Sequence, residues 1–244
     1  MAGIGKSAMR GLLLAWGLVV SAAPAWAQGG AAAPYAAMAP VAQYLMADRN
    51  AEIALARSAA PPAISDDATV MVLTRDGYEA AAQGRNGFVC LVERSWMSPF
   101  DFPEFWNPKM RGPICYNPPA ARSILPRTLK RTALALAGRS KPAMLEALKA
   151  AVAAKELPTP EAGAMSYMMS HQQYLNDAAG SWAPHLMFHI PRTDGATWGA
   201  NLPLSPVMLD TDHTVTPEPE TIFMVAAARW SDGTPFVHDQ AHGH

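Results

Sequence analysis

Residues 69–93 carry the pattern that most constrains how this chain can fold. Thr69-Val-Met-Val-Leu-Thr74 is a β-branched run, Asp76-Gly77 is a tight hairpin signal, and residues 78–83 form a second, weaker run. Asn86-Gly87 marks another turn before Phe88-Val-Cys-Leu-Val-Glu93. The expectation is a three-stranded antiparallel meander. Strand alternation points Phe88, Cys90 and Val92 to one face and Val89, Leu91 and Glu93 to the other. Cys90 therefore lies inside a sheet. The only other cysteine, Cys115, follows after 25 residues, and a disulfide between them would pin the intervening loop to the sheet at a gain of roughly 3 kcal/mol. Two buried thiols or a redox pair are the alternatives, although no Cys-x-x-Cys is present.

A disulfide requires an oxidising compartment, and the N-terminus supplies a route to one. Lys6 and Arg10, an apolar stretch over residues 11–23, and Ala25-Trp26-Ala27 have the three parts of a secretory signal peptide spanning residues 1–27. About 13 apolar residues fall short of the roughly 20 a spanning helix needs, so cleavage and an exported product, periplasmic or extracellular, are expected. No later stretch reads as a membrane span. Residues 28–40, rich in Gly, Ala and Pro, read as a flexible leader. Cleavage removes two bases and no acid, leaving 217 residues of formal charge −3. With 50% hydrophobic and 16% charged residues, the chain has material for a core, and its charge offers nothing to nucleic acid.

Residues 41–235 read as a single domain. Leu45, Ile53 and Ala56, interleaved with Asp48, Arg49, Glu52 and Arg57, suggest an amphipathic helix with a charged exposed face, ended by Pro61-Pro62. Residues 95–117 match neither helix nor strand. Their aromatic residues either anchor an irregular segment to the core or, as Trp96, Phe102 and Trp106, present a platform to a flat ligand. Pro118-Pro119 opens a helical region that Pro126 kinks or divides, with Leu125, Leu129, Ala133 and Leu136 on one face. Arg127, Lys130 and Arg131 read as a solvated face. Gly138 ends this region and Ser140 caps a further helix. Strands are expected at residues 164–169, 185–190 and 221–227. The order implies an α+β fold with a mainly antiparallel sheet and about three helices.

Chemistry gathers late in the chain, since all seven histidines follow residue 170. His185 and His189 have a helical metal spacing, but on a strand four residues span about 13 Å, too far to share one ion. If residues 164–169 and 185–190 are antiparallel neighbours, His171 and His185 meet at one sheet end under residues 172–182, where Asp177 would complete a catalytic group. The alternative is a polar turn-rich loop. His238, His242 and His244 lie in a tail, residues 236–244, expected to be disordered and to chelate metal only opportunistically. Twelve methionines remain after cleavage; Met165, Met168 and Met169 cannot line up as one ligand row on a strand, so they read as core filling. No nucleophile elbow, phosphate loop or dinucleotide fingerprint occurs, and neither metal nor cofactor is called for.

Gly87-Phe-Val-Cys-Leu-Val-Glu-Arg-Ser-Trp96, Pro103-Glu-Phe-Trp-Asn-Pro108, Gly112-Pro-Ile-Cys115, Tyr167-Met-Met-Ser170 and Pro184-His-Leu-Met187 together resemble a group of exported bacterial proteins of unknown function. The resemblance covers most of residues 41–235 and implies bacterial export and a single domain, with no catalytic residues to carry over. The expected role is non-catalytic binding of a small molecule or an envelope component. A hydrolase or metal-assisted enzyme built on His171, Asp177 and His185 is the alternative.

Overall fold

The computed structural model describes residues 35–210 and 216–237. The proposed signal peptide and the three tail histidines lie outside them. Five helices and eight strands follow in the order α1 (Arg49–Arg57), α2 (Pro62–Ser65), β1 (Thr69–Thr74), β2 (Gly77–Ala82), β3 (Val89–Glu93), β4 (Gly112–Tyr116), α3 (Pro118–Ser123), α4 (Leu125–Leu136), α5 (Lys141–Ala153), β5 (Met165–Met168), β6 (His185–Pro191), β7 (Val207–Leu209) and β8 (Glu220–Ala226). The strands form one sheet in the order β2-β1-β3-β4-β5-β6-β8-β7. This is the α+β architecture the sequence implies, mostly antiparallel.

One expectation fails inside the region that looked clearest. β1 and β2 form the hairpin, but β3 pairs with β1 in parallel, with Thr69 opposite Val89, so the three strands are not a meander. The chain leaving β2 crosses the start of β1 instead of turning back. The amides of Arg85 and Asn86 donate to the Asp67 carbonyl and that of Gly84 to Thr69 Oγ1. A Cβ on Gly84 would lie 2.2 Å from the Ala68 carbonyl carbon, so only glycine permits this crossing.

β3 then pairs antiparallel with β4, which places Cys90 directly opposite Cys115, and the two are joined by a disulfide. The strand nature of β4 was not foreseen because Pro113 cannot donate to a ladder. It is tolerated because β5 pairs with β4 only at Cys115 and Tyr116, leaving Pro113 with a strand partner on one side alone.

Alternation sorts the two sheet faces. Val70, Cys90, Val92 and Cys115 pack with Leu55 and Ala56 of α1. Leu91, Ile114 and Tyr116 face the other way, with Ile124, Leu125, Met168, Met187, Ile222 and Met224. Helix α1 begins later than expected, where Asp48 accepts hydrogen bonds from the amides of Asn50 and Ala51, and Pro62 opens α2. Its supposedly exposed Glu52 is buried: Oε1 accepts from Arg94 Nη2 at 2.8 Å and from the Leu73 amide. Arg94 itself is 0% exposed and also donates to the carbonyls of Tyr44 and Val92. The break before Pro126 divides α3 from α4, and Ser140 caps α5 through the Ala143 amide.

Residues 35–40 and 236–237, from the two segments read as flexible, lie among the described residues. Met38 and Ala39 pack on the cluster around Trp96, and Tyr35 donates to Asp177 Oδ2 at 2.6 Å. Phe236 sits edge-on against Trp230.

The buried pair gives a direct test. Glu52→Ala leaves Arg94 without its carboxylate in the interior and is expected to cost about 3–5 kcal/mol in urea denaturation. A loss below about 1 kcal/mol contradicts the pairing.

Candidate functional site

The sheet face opposite α1 is not fully covered. Between the sheet, α4, the irregular segment after β3 and the segment between β5 and β6 lies a cavity of about 410 Å³. Its floor is built strand by strand from Glu93, Gly112, Met168, His185, Met187, Ile222 and Met224. Met97, Met110 and Phe102 wall one side, Leu175, Asn176 and Trp182 another, and Arg127 and Arg131 of α4 close a third. Arg94, Ser98, Pro99, Ala179, Asp210 and Thr216 complete the lining. Five methionines thus share one space. Met187 and Met224 are register partners on adjacent strands, which explains part of the grouping.

The charged groups are arranged in pairs. Arg127 bonds Glu220 through Nη1, and Arg131 Nε donates to Glu218 Oε1 at 2.6 Å. Arg131 also donates to the carbonyls of Trp96, Met97 and Ser98 and lies over the Phe100 ring. The sequence assigned these arginines to a solvated face; both are instead largely buried, and only Lys130 between them is spent on an exposed pair with Glu156. Two carboxylates, Glu220 of β8 and Glu218 just before it, make this burial tolerable, and they lie 93 and 87 residues from their arginines, so sequence spacing did not connect them. His189 is fully buried behind Glu220, with Nδ1 2.9 Å from Glu220 Oε2 and Nε2 3.0 Å from Ser166 Oγ. Burial and the Arg127 charge hold it well below the ordinary histidine range.

Glu93 stands apart from these pairs. Its Oε1 accepts from the Tyr116 phenol at 2.5 Å, with Thr128 Oγ1 3.4 Å away, and its Oε2 has no hydrogen-bond partner among the described residues. Burial raises its carboxyl above the usual range, although the Tyr116 hydrogen bond and the charges of Arg127 and Arg131 oppose the shift.

Of the expected catalytic residues, only His185 lines the cavity. Its Nδ1 is 2.7 Å from the Ala183 carbonyl, which can only accept, so Nδ1 carries the proton. Burial lowers its pKa, and the neutral ring offers a lone pair on Nε2. The pairing of β5 with β6 does set Met168 opposite His185. His171, three residues on, is turned to other partners: it stacks on Trp230 at 4.1 Å and bonds Thr234 Oγ1. Asp177 is held by Lys109 Nζ at 2.6 Å, Tyr174, Tyr35 and Asn107, and this knot depresses its carboxyl well below the usual range. The three do not form one group.

The aromatic platform also needs correcting. Trp96 is wholly buried, donating from Nε1 to Thr132 Oγ1, and Trp106 packs edge-on against Phe105 in the core. These are the anchors of the alternative reading. Phe102 alone of the three lines the cavity; Trp182, 43% exposed, is the aromatic that sequence reasoning missed.

Among the described residues, no cluster of three or more His, Cys, Asp or Glu side chains is placed to hold a metal, and no helix is long and apolar enough to cross a membrane. No protein-family model, curated protein or solved structure matches the chain.

A neutral His185 makes a signed prediction. Its pKa is lower folded than unfolded, so its contribution to stability is present above about pH 6.5 and is lost as pH falls through the histidine range. His185→Gln is expected to flatten the stability–pH curve by up to about 1.4 kcal/mol per pH unit just below pH 6.5. Urea denaturation at pH 7.5, 6.5 and 5.5 reads this, and an unchanged slope contradicts it.

Proposed function

We propose that this protein is a non-catalytic binder of a small, largely apolar molecule, taken into the methionine-lined cavity. The observation that carries the reading is the cavity itself: about 410 Å³, within the range of ligand sites, with an apolar lining and a few polar groups drawn from separate strands. Thioether side chains adapt to the shape of what they enclose, which suits a site that must close around a guest. The disulfide suits an oxidising compartment and supports the reading of residues 1–27 as an export signal. Binding is favoured over the hydrolase because Asp177 and His171 are committed to partners other than His185.

Gly112 provides the test. A Cβ there would lie 3.3 Å from the ε-methyl of Met168 and 3.6 Å from Leu175, so a large side chain would fill the floor against flexible neighbours. The neutral dye N-phenyl-1-naphthylamine is expected to fluoresce on binding the native protein, and Gly112→Leu to weaken that binding at least tenfold while the fold, followed by circular dichroism, is kept. Equal dye binding by a folded Gly112→Leu contradicts the assignment.

A further inference from the structure

We propose that the molecule held in this cavity is an organic cation, an ammonium group on an apolar body, and that Glu93 reads its charge. The inference rests on the cavity being a ligand site and concerns what that site selects.

Charge accounting leads to it. Every cation on the cavity wall already has its own carboxylate: Arg94 has Glu52, Arg127 has Glu220 and Arg131 has Glu218. An anionic ligand would meet no unmatched positive charge here, and drawing an arginine fully onto it would leave a buried carboxylate unmatched, which is costly. The carboxylates of Glu93 and Asp210 remain, and neither has a basic partner among the described residues; Asp210 lies at the edge of the lining, more open to solvent than Glu93, although burial raises its carboxyl to about 6. His185 adds no charge.

The unpaired acceptors point the same way, while the one buried donor on the lining without a partner among the described residues, Arg127 Nε, belongs to a guanidinium whose charge Glu220 already matches. Glu93 Oε2 and His185 Nε2 both accept, so a guest that reaches either of them there donates. Glu93 is also approachable. Its register partner across the ladder is Gly112, and the missing side chain leaves the floor beside the carboxylate open. Three strand spacings separate β3 from β6, roughly 14 Å between backbones, so Glu93 and His185 address different ends of a guest. Between them lie thioethers and the rings of Phe102 and Trp182, surfaces that suit an apolar body and attract a cation. A carboxylate whose ionisation is opposed by burial gains most from an ammonium partner, because the incoming charge offsets that cost.

The test uses a matched series on the full chain, measured by calorimetry at pH 7.5: 2-phenylethylammonium, 2-phenylethanol and 3-phenylpropanoate. The cation is expected to bind at least tenfold tighter than the alcohol, with the anion weakest. Glu93→Gln, which keeps an acceptor for Tyr116, is expected to bring the ammonium down to the affinity of the alcohol. Equal affinities or a tighter anion in the native protein overturn the proposal without any variant, and so does a cation preference that survives in folded Glu93→Gln. If none of the three binds, the cation proposal falls. N-phenyl-1-naphthylamine in the same samples then separates the two readings: dye binding retains the cavity as a ligand site, and its absence removes that as well.

Discussion

The two ion pairs from α4 to β8 and its approach are the interaction on which the rest of the site depends. Arg127 and Arg131, one helical turn apart, meet Glu220 at the start of β8 and Glu218 in the bend just before it. Neither arginine could be buried without its carboxylate, and neither carboxylate without its arginine. The pairs hold α4 across the sheet, and the space left between helix, loop and sheet is the cavity. They also neutralise each other, so the titratable groups on the lining without an ion-pair partner among the described residues are Glu93, His185 and Asp210.

A second buried pair does similar work on the other side. Arg94 follows Glu93 at the end of β3 and is turned to Glu52 of α1, while Glu93 is turned to Tyr116 and the cavity. Adjacent residues thus divide the roles: the Arg94 charge is matched by Glu52, and Glu93 is left without a basic partner among the described residues. The disulfide two strands wide at Cys90 and Cys115 fixes the ladder from which both project.

Much of the fold was legible because it depends on local chemistry. Pro126 divided two helices, Ser140 capped a third, and runs rich in β-branched, aromatic and other apolar residues marked β1, β3, β6 and β8. The direction of Glu93, opposite Cys90, also followed from alternation. What escaped depends on contacts remote in sequence. The parallel pairing of β3 with β1 turns on Gly84 passing over residues 67–69. Arg127 and Arg131 looked solvated because their carboxylates lie about 90 residues away in the chain. The five cavity methionines come from positions 97, 110, 168, 187 and 224, and no periodicity joins them. Aromatic density in residues 95–117 pointed toward a binding platform, whereas Trp96 and Trp106 were consumed by the core and only Phe102 reached the cavity.

The central claim is that these methionines enclose a ligand site and do not simply fill a core. Methionine ε-methyl NMR during titration with N-phenyl-1-naphthylamine tests it most directly. The account predicts shifts in the signals of Met97, Met110, Met168, Met187 and Met224, while Met144, buried in the separate cluster around Trp96, stays still. Shifts centred on Met144, or none at saturating dye, would contradict it.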